Sequence, residues 1–298
     1  VFASKGFAKP QMFLNLFVSN AGLLVIAMGQ TIVMITAGID ISVGSVTALV
    51  CMVAANQMEN HGTSAYMAVV IALAIGLAFG LVQGVLVAYL DIQPFIVTLA
   101  GLFFGRGMTS VVSTDMISIK NETFLKWANY KIYLPVGSYS KRGNFLPAYI
   151  YPTVVIALLV LVLIIIIMKY TKFGRSVYAI GGNEQSAMMM GLNVRKTKLK
   201  AYLLDGFLAG LGGFLFCLNS TAGFVEQAKG LEMDAISSAV IGGTLLSGGV
   251  GTPFGTLFGV LIKGTISSLI TTQGTLSSWW VRITLSALLC FFIVLQSI

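Results

Sequence analysis

The chain has unusually little charge. Only 9% of its 298 residues are charged, whereas about a quarter are charged in a typical soluble domain. The mean hydropathy is +0.92, and the apolar run at residues 151–168 (YPTVVIALLVLVLIIIIM) is as long as a bilayer-spanning helix needs to be. These runs do not alternate with polar residues as barrel strands do, so we predict an all-α, polytopic transmembrane protein.

Residues that carry chemistry are also scarce. The chain has a single histidine, His61, which we interpret as an ordinary loop residue, and its three cysteines form no close pair. These counts argue against a His-based catalytic triad, a metal site or a disulfide framework. No G-x-x-x-x-G-K-[ST] motif occurs, so ATP is not expected to bind this chain through a P-loop. We predict no catalytic residue, metal ion or cofactor in this chain.

We predict one transmembrane domain over residues 1–298 with nine membrane-spanning helices. Glycine interrupts the apolar pattern at residues 36–45 (TAGIDISVGS) and 241–255 (IGGTLLSGGVGTPFG). A helix broken at membrane depth must be surrounded by protein or by a water-filled cavity, so such breaks are typical of transport pathways. The nine predicted spans are residues 21–38, 45–57, 65–90, 95–112, 150–168, 199–220, 233–246, 254–272 and 279–296.

Basic residues are concentrated in one loop, residues 169–200, which has seven Lys and Arg against one acid, Glu184. The positive-inside rule places this loop in the cytoplasm. Alternation of the spans then puts residues 113–149 and 221–232 outside, the carboxyl end inside and Val1 outside. An outside amino end without a signal peptide leads us to expect a further helix before residue 1. Topology and the anionic membrane surface explain the net charge of +8 better than nucleic-acid binding does.

Two glycine ladders predict close helix packing, because a four-residue spacing clears one face of a helix. The segments GIDISVGSVTALV and GLEMDAISSAVIGGT precede the two ladders, and by the span count they cross the membrane in opposite directions. This echo predicts an inverted repeat with a substrate route at its interface. The alternative is that these glycines only improve packing. The ladder residues are Gly76, Gly80 and Gly84, then Gly251, Gly255 and Gly259.

Charged residues in or near the spans are candidates for function, because charge at membrane depth is expensive. Asp40 and Asp234 stand out because both lie in the broken regions, although capping of a helix at the bend explains them equally well. The others are Asp91, which is expected to cap the helix after Pro94, Arg282, which is expected to reach the interface, and Asp205, Glu232, Arg106 and Lys263. For the substrate path we predict polar residues in or beside the breaks: Asp40, Ser42, Thr98, Thr244 and Ser247.

Four segments resemble the permease subunits of bacterial ABC importers for monosaccharides of the ribose, xylose and galactose type: residues 27–50, 95–108, 173–198 and 231–259. The resemblance implies an inner-membrane subunit with one more span than predicted here. It also implies a second permease subunit, cytoplasmic ATPases that bind ATP and Mg, and a periplasmic sugar-binding protein. Residues 274–280 (GTLSSWW) are similar to a permease of a galactofuranose importer, a type thought to combine two different permease chains.

The same resemblance implies that part of the basic loop forms short coupling helices that dock in a groove of the ATPase. The matching residues are Gly181, Gly182, Asn183, Glu184, Ala187 and Gly191. The sequence suits this role: the two glycines permit a tight turn, Asn183 can cap a helix, and Glu184 lies where the helix dipole favours an acid. Ala187 and Met188–Met190 are expected to form an adaptable apolar surface.

Two other interpretations remain open. The basic loop could be a solvated loop without a partner, but an exposed AMMM sequence is unfavourable in water. The whole chain could be a stand-alone secondary carrier or channel, although the small number of intramembrane charges disfavours ion coupling. An intramembrane enzyme is disfavoured by the lack of a nucleophile–base pair.

Overall fold

The computed structural model describes residues 10–139, 145–273 and 279–297, and these residues are mainly α-helical. The elements in chain order are α1 (Pro10–Ile35), α2 (Val43–Asn60), α3 (Ala65–Tyr89), α4 (Pro94–Val112), β1 (Ile117–Ser118), α5 (Glu122–Asn129), β2 (Ile132–Tyr139), β3 (Phe145–Ile150), α6 (Pro152–Tyr170), α7 (Lys172–Gly182), α8 (Glu184–Met189), α9 (Val194–Ser220), β4 (Ala222–Gly223), α10 (Leu231–Ile241), α11 (Pro253–Gln273) and α12 (Trp279–Ser297).

Within the described residues, seven helices are long and apolar enough to cross a membrane: α1, α3, α4, α6, α9, α11 and α12. The fold class is therefore confirmed, but two of the nine predicted spans are not in this group. The eleven residues of α10 extend about 16 Å, roughly half of the 30 Å hydrocarbon core. The other is α2, which ends in the polar sequence NQMEN. Helix α2 follows the first break, and α10 precedes the second. The first span also differs from the prediction, because α1 begins at Pro10 rather than at residue 21.

Two sets of four helices, α1–α4 and α9–α12, pack in the same way. At the centre, α1 packs against α9. Helix α3 of the first set packs against α9, and the equivalent helix of the second set, α11, packs against α1. Likewise α2 contacts α4 as α10 contacts α12. The last residues of α1 and the first residues of α9 both lie beside α7 and α8, so α1 and α9 run in opposite directions. The helix packing therefore has the arrangement of an inverted repeat.

Glycines let the helices of each set approach closely. Gly76 and Gly80 of α3 lie directly against the backbone of Gly206 and Gly210 in α9. An added Cβ at Gly76 would stand 2.8 Å from the Gly210 nitrogen, closer than a carbon can pack. Gly84 meets Leu199 and Tyr202 of the same helix. The first ladder therefore joins α3 to α9 along its length.

The second ladder differs from the sequence prediction. Gly255 and Gly259 of α11 lie against Gly242 and Ser238, so they bring α11 onto α10. Gly251 precedes the start of α11 and does not belong to a helix face. The reason is that the helix begins only at Pro253, a residue that lacks the backbone donor needed inside a helix but suits its first turn.

The strands and α5 gather at the end of the helices away from α7 and α8. Ile117 of β1 pairs antiparallel with Gly223 of β4, and the Phe124 ring of α5 meets the Phe214 ring of α9 edge to face at 5.8 Å. A hairpin of β2 and β3 completes this region. The two loops predicted to share the outer side thus lie at one end of the molecule, and the basic segment lies at the other.

Candidate coupling site and transport pathway

Two short helices, α7 and α8, carry the predicted coupling residues. Asn183 ends α7 and begins α8, and its side-chain oxygen accepts a hydrogen bond from the Ser186 nitrogen at 2.7 Å. Glu184 lies in the first turn of α8, where its negative charge is stabilised by the positive end of the helix dipole. Its carboxylate also forms an ion pair at 2.7 Å with Lys198 of α9. The start of α8 is therefore fixed to the helix that follows it.

Ala187 holds α8 in place rather than forming part of its surface. It is fully buried in a small apolar cluster with Ile180 of α7 and Val194 of α9, so the prediction that it is exposed was wrong. Helix α8 has only six residues. It packs between α7 and α9, and Ala187 is on the side that faces these two helices. Gly191 then turns the chain into α9 with φ of +80°, a conformation that glycine adopts without strain.

The two glycines of the predicted tight turn instead form the last turn of α7. Gly181 packs directly against the carbonyl oxygen of Ile35 and the nitrogen of Gly249, and a Cβ at this position would overlap both. Gly182 has no atom within 4 Å of an added Cβ. The first glycine is thus required for close packing, whereas the second faces open space.

Three consecutive methionines form an exposed apolar stretch at the end of α8 and in the residue after it. Met188, Met189 and Met190 are 60%, 88% and 69% exposed. Methionine has a flexible, polarizable side chain that adapts to irregular grooves. A contiguous apolar patch of this kind is typical of a surface that another protein covers.

The end of α7 meets both helix breaks at one place, which we call the junction and define as Ile35, Tyr178, Gly181, Gly249 and Gly251. The Gly249 nitrogen donates to the Ile35 oxygen at 2.9 Å, and the Tyr178 hydroxyl donates to the Gly251 oxygen at 2.7 Å. Burial raises the pKa of the Tyr178 hydroxyl, so it stays protonated and able to donate. A displacement of α7 at the junction would therefore act directly on the second break and on the end of α1.

The first break, residues 36–42, is filled by polar side chains from its neighbours. Asp40 accepts a hydrogen bond from the Ser42 nitrogen at 2.7 Å, and Gln83 of α3 donates to the Ser42 hydroxyl at 2.8 Å. Thr98 of α4 and Tyr202 of α9 both donate to the carbonyl of Ile39, at 3.4 Å and 3.3 Å. The structure thus brings Asp40, Ser42 and Thr98 together, and all three are buried.

The second break, residues 242–252, holds the other two predicted path residues. Thr244 is fully buried and its hydroxyl has no partner within the described residues, whereas Ser247 is exposed. Gly243, Gly248 and Gly249 have φ of 90°, 88° and 75°, values that other residues rarely adopt. The backbone of the second break therefore depends on glycines with positive φ, whereas the first break is held by hydrogen bonds of polar side chains.

One buried acid, which the sequence showed as a charge within a span, was not among the residues predicted for the substrate path. Asp205 of α9 has no exposed surface, and within the described part of the chain neither of its oxygens has a hydrogen-bond donor. Its carboxyl lies against Gly29 of α1 and within reach of the Asp40 carboxyl. The sequence feature that could have identified Asp205 is its position as a single acid inside the apolar run YLLDGFLAG.

Of three other charged residues, only Asp91 departs from its predicted role. Asp91 does not cap α4, which begins after Gln93, but approaches Arg195 at 3.8 Å on an exposed surface. Arg106 is half-buried and donates to the carbonyl oxygens of Val225 and Gln227 at 3.1 Å and 2.6 Å. Arg282 lies over the Trp279 ring at 5.3 Å.

Comparison with known proteins agrees with this architecture. Residues 12–293 match the model of a family described as branched-chain amino acid transport system / permease component. The chain belongs to this permease family. YjfF of Escherichia coli (strain K12), an inner membrane ABC transporter permease protein, is 42% identical over 291 residues, which cover 98% of this chain and 85% of the relative.

Two further relatives have names that state a sugar. The fructose import permease protein FruG of Bifidobacterium longum (strain NCC 2705) is 34% identical over 282 residues, covering 95% of this chain and 81% of the relative. The ribose import permease protein RbsC of Bacillus subtilis (strain 168) is 37% identical over 271 residues, covering 91% and 80%. No solved structure matches the chain. As a permease component, the chain is a transport subunit and not itself an enzyme.

Proposed function

We propose that this chain is the membrane-spanning subunit of an ATP-driven importer that carries a monosaccharide across the bacterial inner membrane. The observation that carries the proposal is the α7–α8 segment, which presents three exposed methionines and contacts both helix breaks at the junction. The relatives named for fructose and ribose import support a sugar as the substrate. A stand-alone carrier would have no need of such a segment.

The proposed assembly contains partners that supply what this chain lacks. A cytoplasmic ATPase would bind ATP and Mg and cover Met188–Met190, a second permease subunit would complete the route, and a periplasmic binding protein would deliver the sugar. The seven basic residues between 169 and 200 support a cytoplasmic position for the loop. The carboxyl end of α12 lies near Val240 through the Gln296 side chain, on the same side as the second break.

The mechanism follows from how α7 and α8 are attached. The Glu184–Lys198 ion pair and the buried Ala187 tie α8 to α9, while Gly181 and Tyr178 tie α7 to the junction. A push by the ATPase on the methionine surface would therefore move the start of α9 and the second break together. Because α1 and α9 are the central pair of the inverted repeat, this motion would tilt one repeat against the other.

The sugar itself is proposed from resemblance alone. Residues 274–280 resemble a galactofuranose importer permease, which favours a furanose sugar and a pair of different permease chains; residues 274–278 lie outside the described residues. A binding screen of the partner periplasmic protein against furanose and pyranose sugars tests this point. Tight binding of pyranoses alone would contradict it.

The proposal is tested by reconstituting this chain with and without its ATPase in proteoliposomes. ATP-dependent sugar uptake should require both proteins. The replacement Met189→Glu should weaken binding of the ATPase, so that the ATPase no longer co-purifies with this chain. Met67→Glu is a matched control, because Met67 is also an exposed methionine but lies on α3 away from α8. Uptake driven by an ion gradient in vesicles containing this chain alone would establish the carrier alternative instead.

A further inference from the structure

A cavity lined by both polar and apolar residues lies between α1, α9, α10, α11 and α12. It has two lobes of about 530 Å³ and 470 Å³, each within the size range of small-molecule sites. Both lobes are lined by the same four charged residues, Lys229, Asp234, Lys263 and Arg282. None of the five residues predicted for the substrate path lines either lobe.

One ion pair lines both lobes. The Lys263 ammonium lies 2.8 Å from the Asp234 carboxylate, and the two side chains are 14% and 32% exposed. Lys263 is at the midpoint of α11, where a charged residue in a membrane helix is costly and usually marks a functional path. The pair is thus placed at membrane depth and still borders open space.

Neutral polar groups from α1, α10, α11 and α12 also line the cavity, together with apolar side chains such as Leu231, Met233 and Leu285. The polar groups include Asn20 of α1, Ser237 of α10, Ser267 and Thr271 of α11, and Ser286 of α12. A buried ion pair is favourable only when further hydrogen bonds satisfy its remaining lone pairs and protons. The hydroxyl and amide groups on these walls can form hydrogen bonds with a polar occupant that meets the pair.

The loop that closes one lobe is held in a fixed position. The Gln227 amide donates to the Ser220 hydroxyl at 2.7 Å and accepts from the Phe224 nitrogen at 3.2 Å. The hydrogen bonds of Arg106 to the carbonyls of Val225 and Gln227 hold the same loop from α4. These hydrogen bonds therefore fix the backbone of the loop that forms one wall of this lobe.

We propose that this cavity binds a neutral, hydroxyl-rich solute in transit, with Asp234 and Lys263 as the central acceptor and donor. Adjacent hydroxyls of a sugar can bond to a carboxylate and an ammonium side by side. Glu226 and Lys229 at the rim neutralise one another at 2.7 Å, and the hydrogen bond from Lys229 lowers the pKa of the Glu226 carboxyl. The proposal rests on the proposed function for the identity of the solute as a monosaccharide.

The first test is uptake by the complete importer in proteoliposomes with D-ribose, D-fructose and D-galactose as probes. Asp234→Asn and Lys263→Met should each reduce uptake about tenfold or more, while ATP hydrolysis stimulated by the binding protein continues. Reversing the pair, with Asp234→Lys and Lys263→Asp together, should restore thermal stability but not uptake. Recovery of uptake in the reversed pair would show a structural ion pair and overturn the proposal.

The matched control is the ion pair between Glu122 and Lys126 on α5, which is exposed and lines neither lobe. Glu122→Gln with Lys126→Met should leave uptake unchanged. Absence of ATP-dependent uptake by the unmodified importer would refute the proposed function. Normal uptake by the unmodified importer together with normal uptake by Asp234→Asn and Lys263→Met would refute only the cavity.

The second test measures access and protection. In a Cys290→Ser background, which removes the exposed native thiol while Cys51 and Cys217 stay buried, Ser267→Cys should react with a water-soluble methanethiosulfonate, and a transported sugar should slow the reaction. Thr265→Cys on the same helix, outside the cavity, is the matched control and should show no sugar protection. Labelling of Ser267→Cys that no sugar slows, or that only an anionic sugar phosphate slows, would contradict a neutral solute.

Discussion

The two helix breaks occupy equivalent places in the inverted repeat but are built differently. The first is tied to α3, α4 and α9 by hydrogen bonds of Gln83, Thr98 and Tyr202. The second is formed around glycines and is attached to α7 by the Tyr178 hydroxyl. The difference indicates that the first break is a fixed anchor, whereas the second can change conformation when α7 moves.

The largest effect is expected where the second break meets α7. Gly181→Val should abolish sugar uptake, because its side chain would overlap the backbone at Ile35 and Gly249. ATPase binding through Met188–Met190 should persist, so co-purification with the ATPase separates lost coupling from misfolding. Gly182→Ala is the control and should transport normally, since its added Cβ meets no atom within 4 Å. Equal loss in both variants would contradict the role of the junction.

A smaller effect is expected in the first break, and it should concern stability. Asp40→Ala leaves the buried Ser42 nitrogen without its acceptor, at a cost of about 2 kcal/mol. The melting temperature should fall, while uptake per folded molecule stays near normal. Asp40→Asn keeps an acceptor oxygen and should be more stable than the alanine variant. A specific loss of transport without loss of stability would instead place Asp40 on the substrate path.

Tyr178→Phe should weaken the attachment of the second break without unfolding it. It removes the hydrogen bond to Gly251, worth about 1 kcal/mol. We expect fewer sugars carried per ATP hydrolysed, with normal ATPase binding. Tyr170→Phe is a suitable control, because Tyr170 is exposed. An unchanged ratio of sugar to ATP would show that the second break does not need this bond.

The smallest effect is expected at Ser247. Its side chain is exposed at the tip of the second break, and surface substitutions of this kind usually change stability by less than about 0.5 kcal/mol. Ser247→Ala should therefore leave uptake and melting temperature unchanged. A clear transport defect would return this residue to the substrate path.

Local signals made much of this architecture predictable. Long apolar runs identify the spanning helices, and glycine clusters locate both breaks, because each depends on neighbouring residues in the chain. The packing of Gly181 on Ile35 and the burial of Ala187 were not predictable, since they depend on which distant segments meet. For the same reason the sequence identified Asp234 and Lys263 as notable charges but not as partners.

The most direct test compares the two breaks during the ATP cycle. Amide hydrogen exchange would be measured by mass spectrometry on the complete importer, with and without a non-hydrolysable ATP analogue, for residues 36–42 and 242–252. The account predicts that exchange changes at residues 242–252 and stays the same at residues 36–42. An equal change in both breaks, or a change confined to residues 36–42, would contradict it.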